Sequence, residues 1–364
     1  MSEKSLASKL VTKFFEKFFA VNENRSRELG DVKKVLIVRQ HNQLGDLLSG
    51  VSLLRAFKEK YPDCKITLIV SPDNYHGIIK NKFIDRYLIF DKNRIFTPSY
   101  FFSLRKILRE GYDVVLVPVV VSISFTSNLI ARFSKSKIRI GAQSLDGKAN
   151  ESSYLFDRRI KLDWRNHPDS NVSERCLDII RPFGIDTNNY RSEITIDYGD
   201  LRFALAFIKK TGKRKNQLLI GLHVGAGKPP NRWSLNKYVE LIKKLNNSFN
   251  CVFYLTGSDS DRDEIDYVIK NSRLPIRTFL NKSIPQVAAI ISLSELFISN
   301  DTGIMHVAGT TETPQISIFG PTNPFNWAPI GPNKFFIRES ELIDDVEVDD
   351  VFKLCENILG SLTK

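Results

Sequence analysis

The chain has 364 residues, 42% hydrophobic and 26% charged, with a formal net charge of +12. That balance excludes a disordered polymer and supplies enough chain for two domains. The excess of Lys and Arg predicts an anionic partner: nucleic acid, a membrane surface or a phosphorylated substrate.

The chain opens on an amphipathic pattern over residues 4–21. Leu6, Leu10, Val11, Phe14, Phe15, Phe18 and Phe19 recur at helical spacing, with Lys4, Lys9, Lys13 and Lys17 mostly off the stripe. Such a helix serves equally to lie on an anionic membrane or to pack on the protein's own surface. The expected location is cytoplasmic, with peripheral contact to the inner face of the cytoplasmic membrane open through residues 4–21. No signal-peptide pattern is visible, and the longest apolar run, Val114 to Val121, is broken by Pro118 and reads as a buried strand.

From Val35 strands and helices alternate. The pattern predicts a strand Val35–Arg39, a helix from Gly45 to about Lys60, strands Ile66–Val70 and Tyr87–Phe90, a helix Ser99–Arg109 and a strand Val114–Val117. A helix Phe125–Phe133 and a short strand Ile138–Ile140 follow. The pattern blurs between Ala142 and Asn171, then a helix is expected over Ser173–Pro182. A second block has strands at Leu218–Val224, Val252–Leu255, Leu296–Ser299 and Ile316–Phe319. Its helices are Leu235–Leu245, Asp261–Lys270, Ile284–Leu293 and Ile304–Ala308, and a last helix covers Asp349–Leu359.

The strands are continuous apolar runs, the mark of parallel sheets covered on both faces. The fold class is therefore α/β with two doubly wound, Rossmann-like domains. The expected divisions are 1–30 for the N-terminal helix, 31–195 and 196–345 for the two domains, and 346–364 for the C-terminal helix. Ligands of such folds bind beyond the carboxyl ends of the strands. Cys64, Cys176, Cys251 and Cys355 are scattered without a CxxC pair, which argues against a zinc site or a disulfide framework.

Four loops carry candidate chemistry. Gln40–Asp46 (QHNQLGD) turns at Gly45 and places Asp46 in a first helical turn, where it serves as a helix cap or a catalytic carboxylate. His223–Trp233 (HVGAGKPPNRW) fails the Walker pattern, since Leu222 and Pro229 stand where Gly and Ser or Thr are needed, and fails G-x-G-x-x-G at Pro230. It remains a backbone-exposed loop whose Lys228 and Arg232 suit a diphosphate. In Thr256–Asp263 (TGSDSDRD), Ser260 and Asp263 read as a capping-box pair, leaving Asp259 and Asp261 as weak acceptors for ribose hydroxyls. Ser299–His306 (SNDTGIMH) runs from a strand end through Gly303 into a short helix, a place for a phosphate with His306 as an added donor. Phe319–Pro324 (FGPTNP) forms the adjacent wall. There is no His/Asp metal cluster, and the basic residues form no nucleic-acid motif.

The D-T-G-x-x-H element at Asp301–His306, the G-D pair Gly45–Asp46 and the GPT-x-P element Gly320–Pro324 resemble those of family 9 glycosyltransferases, the lipopolysaccharide heptosyltransferases. The segment VLIVRQHNQLGDLLSGVSLLRAFKEKYP is similar to that family's opening strand-loop-helix, and the resemblance covers roughly Val35–Gly331. It implies a GT-B fold, two Rossmann-like domains facing across a cleft, and an inverting, metal-independent transfer from a nucleotide-sugar, ADP-heptose first, to a lipid-linked or phosphorylated glycan. No cofactor and no nucleic acid is implied. Asp46 then matches the general base. Gly45, His223, Lys228, Arg232, Asp259, Asp301, Thr302, Gly303 and His306 become donor-binding candidates. Arg232 stands where such enzymes carry a phosphate-binding lysine, which keeps the charge and changes its geometry. The other readings are a different GT-B nucleotide-sugar enzyme, such as an epimerase, or a non-catalytic sugar-nucleotide-binding protein.

Overall fold

A computed structural model of the chain describes residues 16–40 and 43–362. Most of the amphipathic stripe over residues 4–21 thus lies outside the described residues. Contacts divide the chain into two compact units. The first comprises Met1–Asn42, Gly50–Tyr75 and Lys82–Tyr190, and the second Gln43–Ser49, His76–Asn81 and Arg191–Lys364. Among the described residues no helix is long and apolar enough to cross a membrane.

The first unit is built on strands β1 (Lys34–Val38), β2 (Lys65–Val70), β3 (Arg86–Ile89), β4 (Tyr112–Leu116), β5 (Ser136–Leu145), β6 (Lys148–Ala149) and β7 (Arg158–Leu162). They lie in the order β3-β2-β1-β4-β5-β6, with β7 also paired to β5. All pairs are parallel except β5 with β6. The central strands are apolar and buried because helices cover both faces of such a sheet.

Strand β5 is longer than the predicted Ile138–Ile140, and β7 falls inside the stretch where the pattern blurs. Both are interrupted by charged or polar residues (Lys137, Arg139 and Gln143 in β5; Arg158, Arg159 and Lys161 in β7), so neither shows an apolar run. The helix expected over Ser173–Pro182 reduces to Val172–Arg175 plus turns. A short 3-10 segment, Arg181–Phe183, ends at Gly184, whose φ of 66° closes it. The single helix expected from Gly45 to Lys60 is two, Leu44–Ser49 and Val51–Lys60, parted at Gly50. The first piece packs within the second unit, where Gly45, Asp46, Leu47, Leu48 and Ser49 are all buried.

The second unit holds six parallel strands: β8 (Leu218–His223), β9 (Cys251–Gly257), β10 (Arg277–Leu280), β11 (Leu296–Asn300), β12 (Gln315–Ile318) and β13 (Lys334–Ile337). Their order, β10-β9-β8-β11-β12-β13, is that of a dinucleotide-binding sheet. The edge strands β10 and β13 escape a sequence reading because half or more of each is exposed or only partly buried. Helix Tyr198–Thr211, also unpredicted, starts from a capping box between Asp197 and Asp200. Lys80 bonds both carboxylates, at 2.5 and 2.7 Å. The apolar core packs Ile220, Leu222, Trp233, Ile242, Leu296 and Ile298 between the sheet and helices Leu235–Ser248 and Val348–Leu362.

Candidate functional site

The carboxyl ends of β8, β9, β11 and β12 gather the loops that the sequence singles out. Their centre is Asn300, the last residue of β11, which is completely buried. Its Nδ2 donates to the carbonyls of Val224 (3.2 Å) and Gly225 (3.0 Å). Its Oδ1 accepts from the Tyr238 hydroxyl at 2.9 Å and from the Trp233 backbone N–H at 3.2 Å. A buried amide must satisfy both ends of its dipole, so Asn300 fixes the path of the whole 224–233 loop. No motif in the sequence marks Asn300; the signal it leaves there is a lone amide closing the buried run Leu296–Asn300.

Asp301 lies next in the chain and ties three loops together. Asn231 Nδ2 donates to its carboxylate at 3.0 Å. Burial pushes the carboxyl above its usual range, and a hydrogen bond from Thr322 and the charge of Lys228 oppose that rise. The GPT element and the HVGAGKPPNR loop thus meet at one carboxylate, and Lys228 stands exposed beside it. Thr302 precedes helix Gly303–Gly309 in extended conformation without capping it, and its buried hydroxyl has no hydrogen-bond partner among the described residues.

Helix Leu44–Ser49 packs on helix Gly303–Gly309. A Cβ on Gly45 would lie 2.6 Å from His306 Cδ2, so only glycine lets the imidazole lie flat against this backbone. A Cβ on Gly303 would sit 3.4 Å from Leu44 Cβ, an ordinary contact. The G-D and D-T-G-x-x-H elements, far apart in sequence, are therefore neighbours within the second unit. Asp46, in the first turn of its helix, is 7% exposed. The sequence alternation assigns this residue to the first block. The packing assigns it to the second unit, because its short helix buries its apolar residues there.

Three candidates hold positions other than those the sequence suggests. His306 is enclosed in the seam between the two helices, with its ring 6.2 Å from Trp327 in an edge-to-face contact. Burial lowers its pKa to about 4, so the ring is neutral near pH 7 and packs the seam instead of donating a positive charge. His223 is buried as well, and its Nδ1 donates to the Thr256 carbonyl at 3.0 Å. Burial keeps it below its ordinary pKa, with Asp261 opposing. Arg232 is committed to Glu264 at 2.5 Å and to the Ala226 carbonyl at 3.2 Å, so much of its charge is spent bracing its own loop. Nothing local in the sequence links Arg232 to Glu264.

Asp259 is exposed and paired with Arg262 at 2.6 Å. The capping box is Ser258 with Asp261, two residues earlier than the Ser260–Asp263 pair expected from sequence, because the helix opens with a 3-10 turn over Asp259–Asp261. Among the described residues no group of three or more His, Cys, Asp or Glu is placed to hold a metal ion.

A profile of glycosyltransferase family 9 (heptosyltransferase) matches residues 101–353. Lipopolysaccharide heptosyltransferase 3 of Escherichia coli is 24% identical over 304 residues, covering 79% of this chain and 84% of that protein. The crystal structure of a family 9 glycosyl transferase from Veillonella parvula superposes with a TM-score of 0.79 at 17% identity, over 92% of this chain and all of that one. Escherichia coli ADP-heptose heptosyltransferase II gives 0.74 at 19% identity, over 91% of this chain and all of that one. These structural likenesses establish the GT-B fold, and the matched span covers well over half of the sequence. The chain belongs to glycosyltransferase family 9, the heptosyltransferase family, and is a glycosyltransferase.

Proposed function

We propose that the enzyme moves a heptose from ADP-heptose, with inversion, onto an acceptor of the lipopolysaccharide-core type. The observation that carries this reading is the direct packing of the Gly45–Asp46 helix on the Asp301–His306 element, which puts a buried carboxylate and the donor-type loop in one assembly. The names of the relatives support the donor and the acceptor class.

In this reading Asp46 takes the proton from the acceptor hydroxyl as its oxygen forms a bond to the anomeric carbon. The bond from that carbon to the diphosphate breaks, and ADP leaves with the electron pair. Lys228, exposed beside Asp301, neutralises the leaving diphosphate. Asp301, Thr302 and the backbone at Gly303 hold the rest of the donor. The buried Thr302 hydroxyl is a spare donor at that position. Gly45 and His306 hold the helix seam, His223 and Arg232 shape the 223–232 loop, and Asp259, already paired with Arg262, would accept a ribose hydroxyl through its other oxygen. Lys228 provides the positive charge, so we assign a transfer that persists in EDTA.

A thermal-shift screen against ADP-, UDP-, GDP- and dTDP-sugars tests the donor. An ADP-sugar should raise the melting temperature most, since a ligand that binds only the folded state stabilises it. A larger shift with another nucleotide, and none with ADP-heptose, would sink the donor assignment. The acceptor is tested by incubating ADP-heptose with a truncated lipopolysaccharide core and weighing the product by mass spectrometry.

A further inference from the structure

The first unit carries a second concentration of chemistry, in residues that belong to none of the candidate loops. The backbone over residues 20–27 is strapped to the start of β7. Val21 donates to the Tyr154 carbonyl at 2.9 Å, Asn24 donates to the Asp157 carbonyl at 2.7 Å, and Arg159 Nη2 donates to the Val21 carbonyl at 3.0 Å. Between strap and strand lies a hollow of about 520 Å³. Arg25, Arg27, Arg158, Arg159 and Lys161 line it, and Glu23 is the carboxylate among its walls.

The charge behind this hollow is out of balance. Arg158 is buried and Arg139 largely so, with side chains 8% and 14% exposed, and they share the single carboxylate of Asp157 at 3.1 and 3.9 Å. The Nε atoms of both are buried without a hydrogen-bond partner among the described residues. Arg132 adds further like charge beside Arg139. Glu23 is spread thinly over Arg25 (3.5 Å) and Arg159 (3.8 Å). Buried guanidinium groups that outnumber their carboxylates are unfavourable until an anion joins them.

We propose that this hollow binds a phosphoryl group, a phosphate monoester borne by a small molecule or a lipid headgroup. A dianion answers an excess of several positive charges better than one carboxylate would. Its three oxygens can take paired N–H bonds from Arg forks while Lys161 supplies a point charge. The site is independent of the sugar-transfer reading, since it shares no residue with the donor loops.

The full-length chain is titrated with inorganic phosphate by calorimetry, and floated with phosphatidylcholine vesicles with and without phosphatidic acid. The double variant Arg25→Ala/Lys161→Ala alters exposed side chains and should stay folded. It should bind phosphate at least about tenfold more weakly. Arg158→Gln should lose binding too, with circular dichroism reporting whether it folds. Lys228→Ala should keep the site. Phosphate binding that depends on Arg25 and Lys161 supports a small phosphorylated ligand. Binding only to phosphatidic-acid vesicles, with the same dependence, supports a headgroup. Undiminished binding by the double variant, or no binding in either arm, overturns the proposal.

Discussion

The two units share a sheet plan and differ in how their polar residues are used. In the second unit the polar groups at the strand ends bond across loops. Asn300 satisfies four partners, Asp301 joins three loops, and burial lowers the pKa of both buried histidines. In the first unit the notable polar groups are cations in excess of their carboxylates, Arg139 and Arg158 against Asp157, beside a basic hollow. Around Asn300 and Asp301 the partners are mostly matched, with the Thr302 hydroxyl left over, and the loops are tied to one another. Around Asp157 the cations outnumber the carboxylate, an imbalance that an added anion would relieve.

Substitutions in the second unit should therefore act through geometry and rate. The largest expected effect is at Asp46. Asp46→Asn keeps size and burial but cannot accept a proton, so transfer should fall by about a thousandfold while ADP affinity, read by calorimetry, is retained. Wild-type turnover in that variant would end the base assignment. Next is Asn300→Ala, which strands the Tyr238 hydroxyl, the Trp233 N–H and two carbonyls. It should lower unfolding free energy by about 3 kcal/mol in a urea titration. Arg158→Gln in the first unit should cost less stability than that, and a reversal of this ranking would break the contrast between the units.

The neutral His306 sets a pH dependence of known sign. Its pKa is about 4 folded against 6.5 unfolded, so the unfolded chain binds more protons between these values. Stability should fall as pH drops from 6.5 toward 4, by up to about 3 kcal/mol from this group. His306→Phe should flatten that part of a melting-temperature profile, and an unchanged slope would show that other groups dominate. The smallest effect is expected at Gly45. Gly45→Ala pushes a methyl group into the imidazole and should slow transfer by roughly tenfold. Gly45→Ala/His306→Ala should recover part of the loss, because the second change makes room for the first.

The alternation of apolar runs made the two-sheet plan legible, since a strand buried on both faces must be apolar throughout, as Leu218–His223 and Leu296–Asn300 are. Edge strands Arg277–Leu280 and Lys334–Ile337 were not legible, because an edge lacks that requirement. Glycine placement was partly legible. Gly45 reads as a turn in the sequence, while its use as a flat contact for His306 depends on a helix more than 250 residues away.

Sequence alone determined the α/β class, the motifs at Gly45–Asp46, Asp301–His306 and Gly320–Pro324, and through them the family resemblance. These follow from local rules of burial period and backbone freedom. Only the tertiary structure decided that Asp46 belongs by packing to the second unit, that Arg232 is braced by Glu264, that His306 is a neutral packing group, and that Arg139 and Arg158 share one carboxylate. Each of these depends on which side chains the folded chain brings within a few ångströms, where charge, desolvation and contact are set by neighbours and not by spacing along the chain.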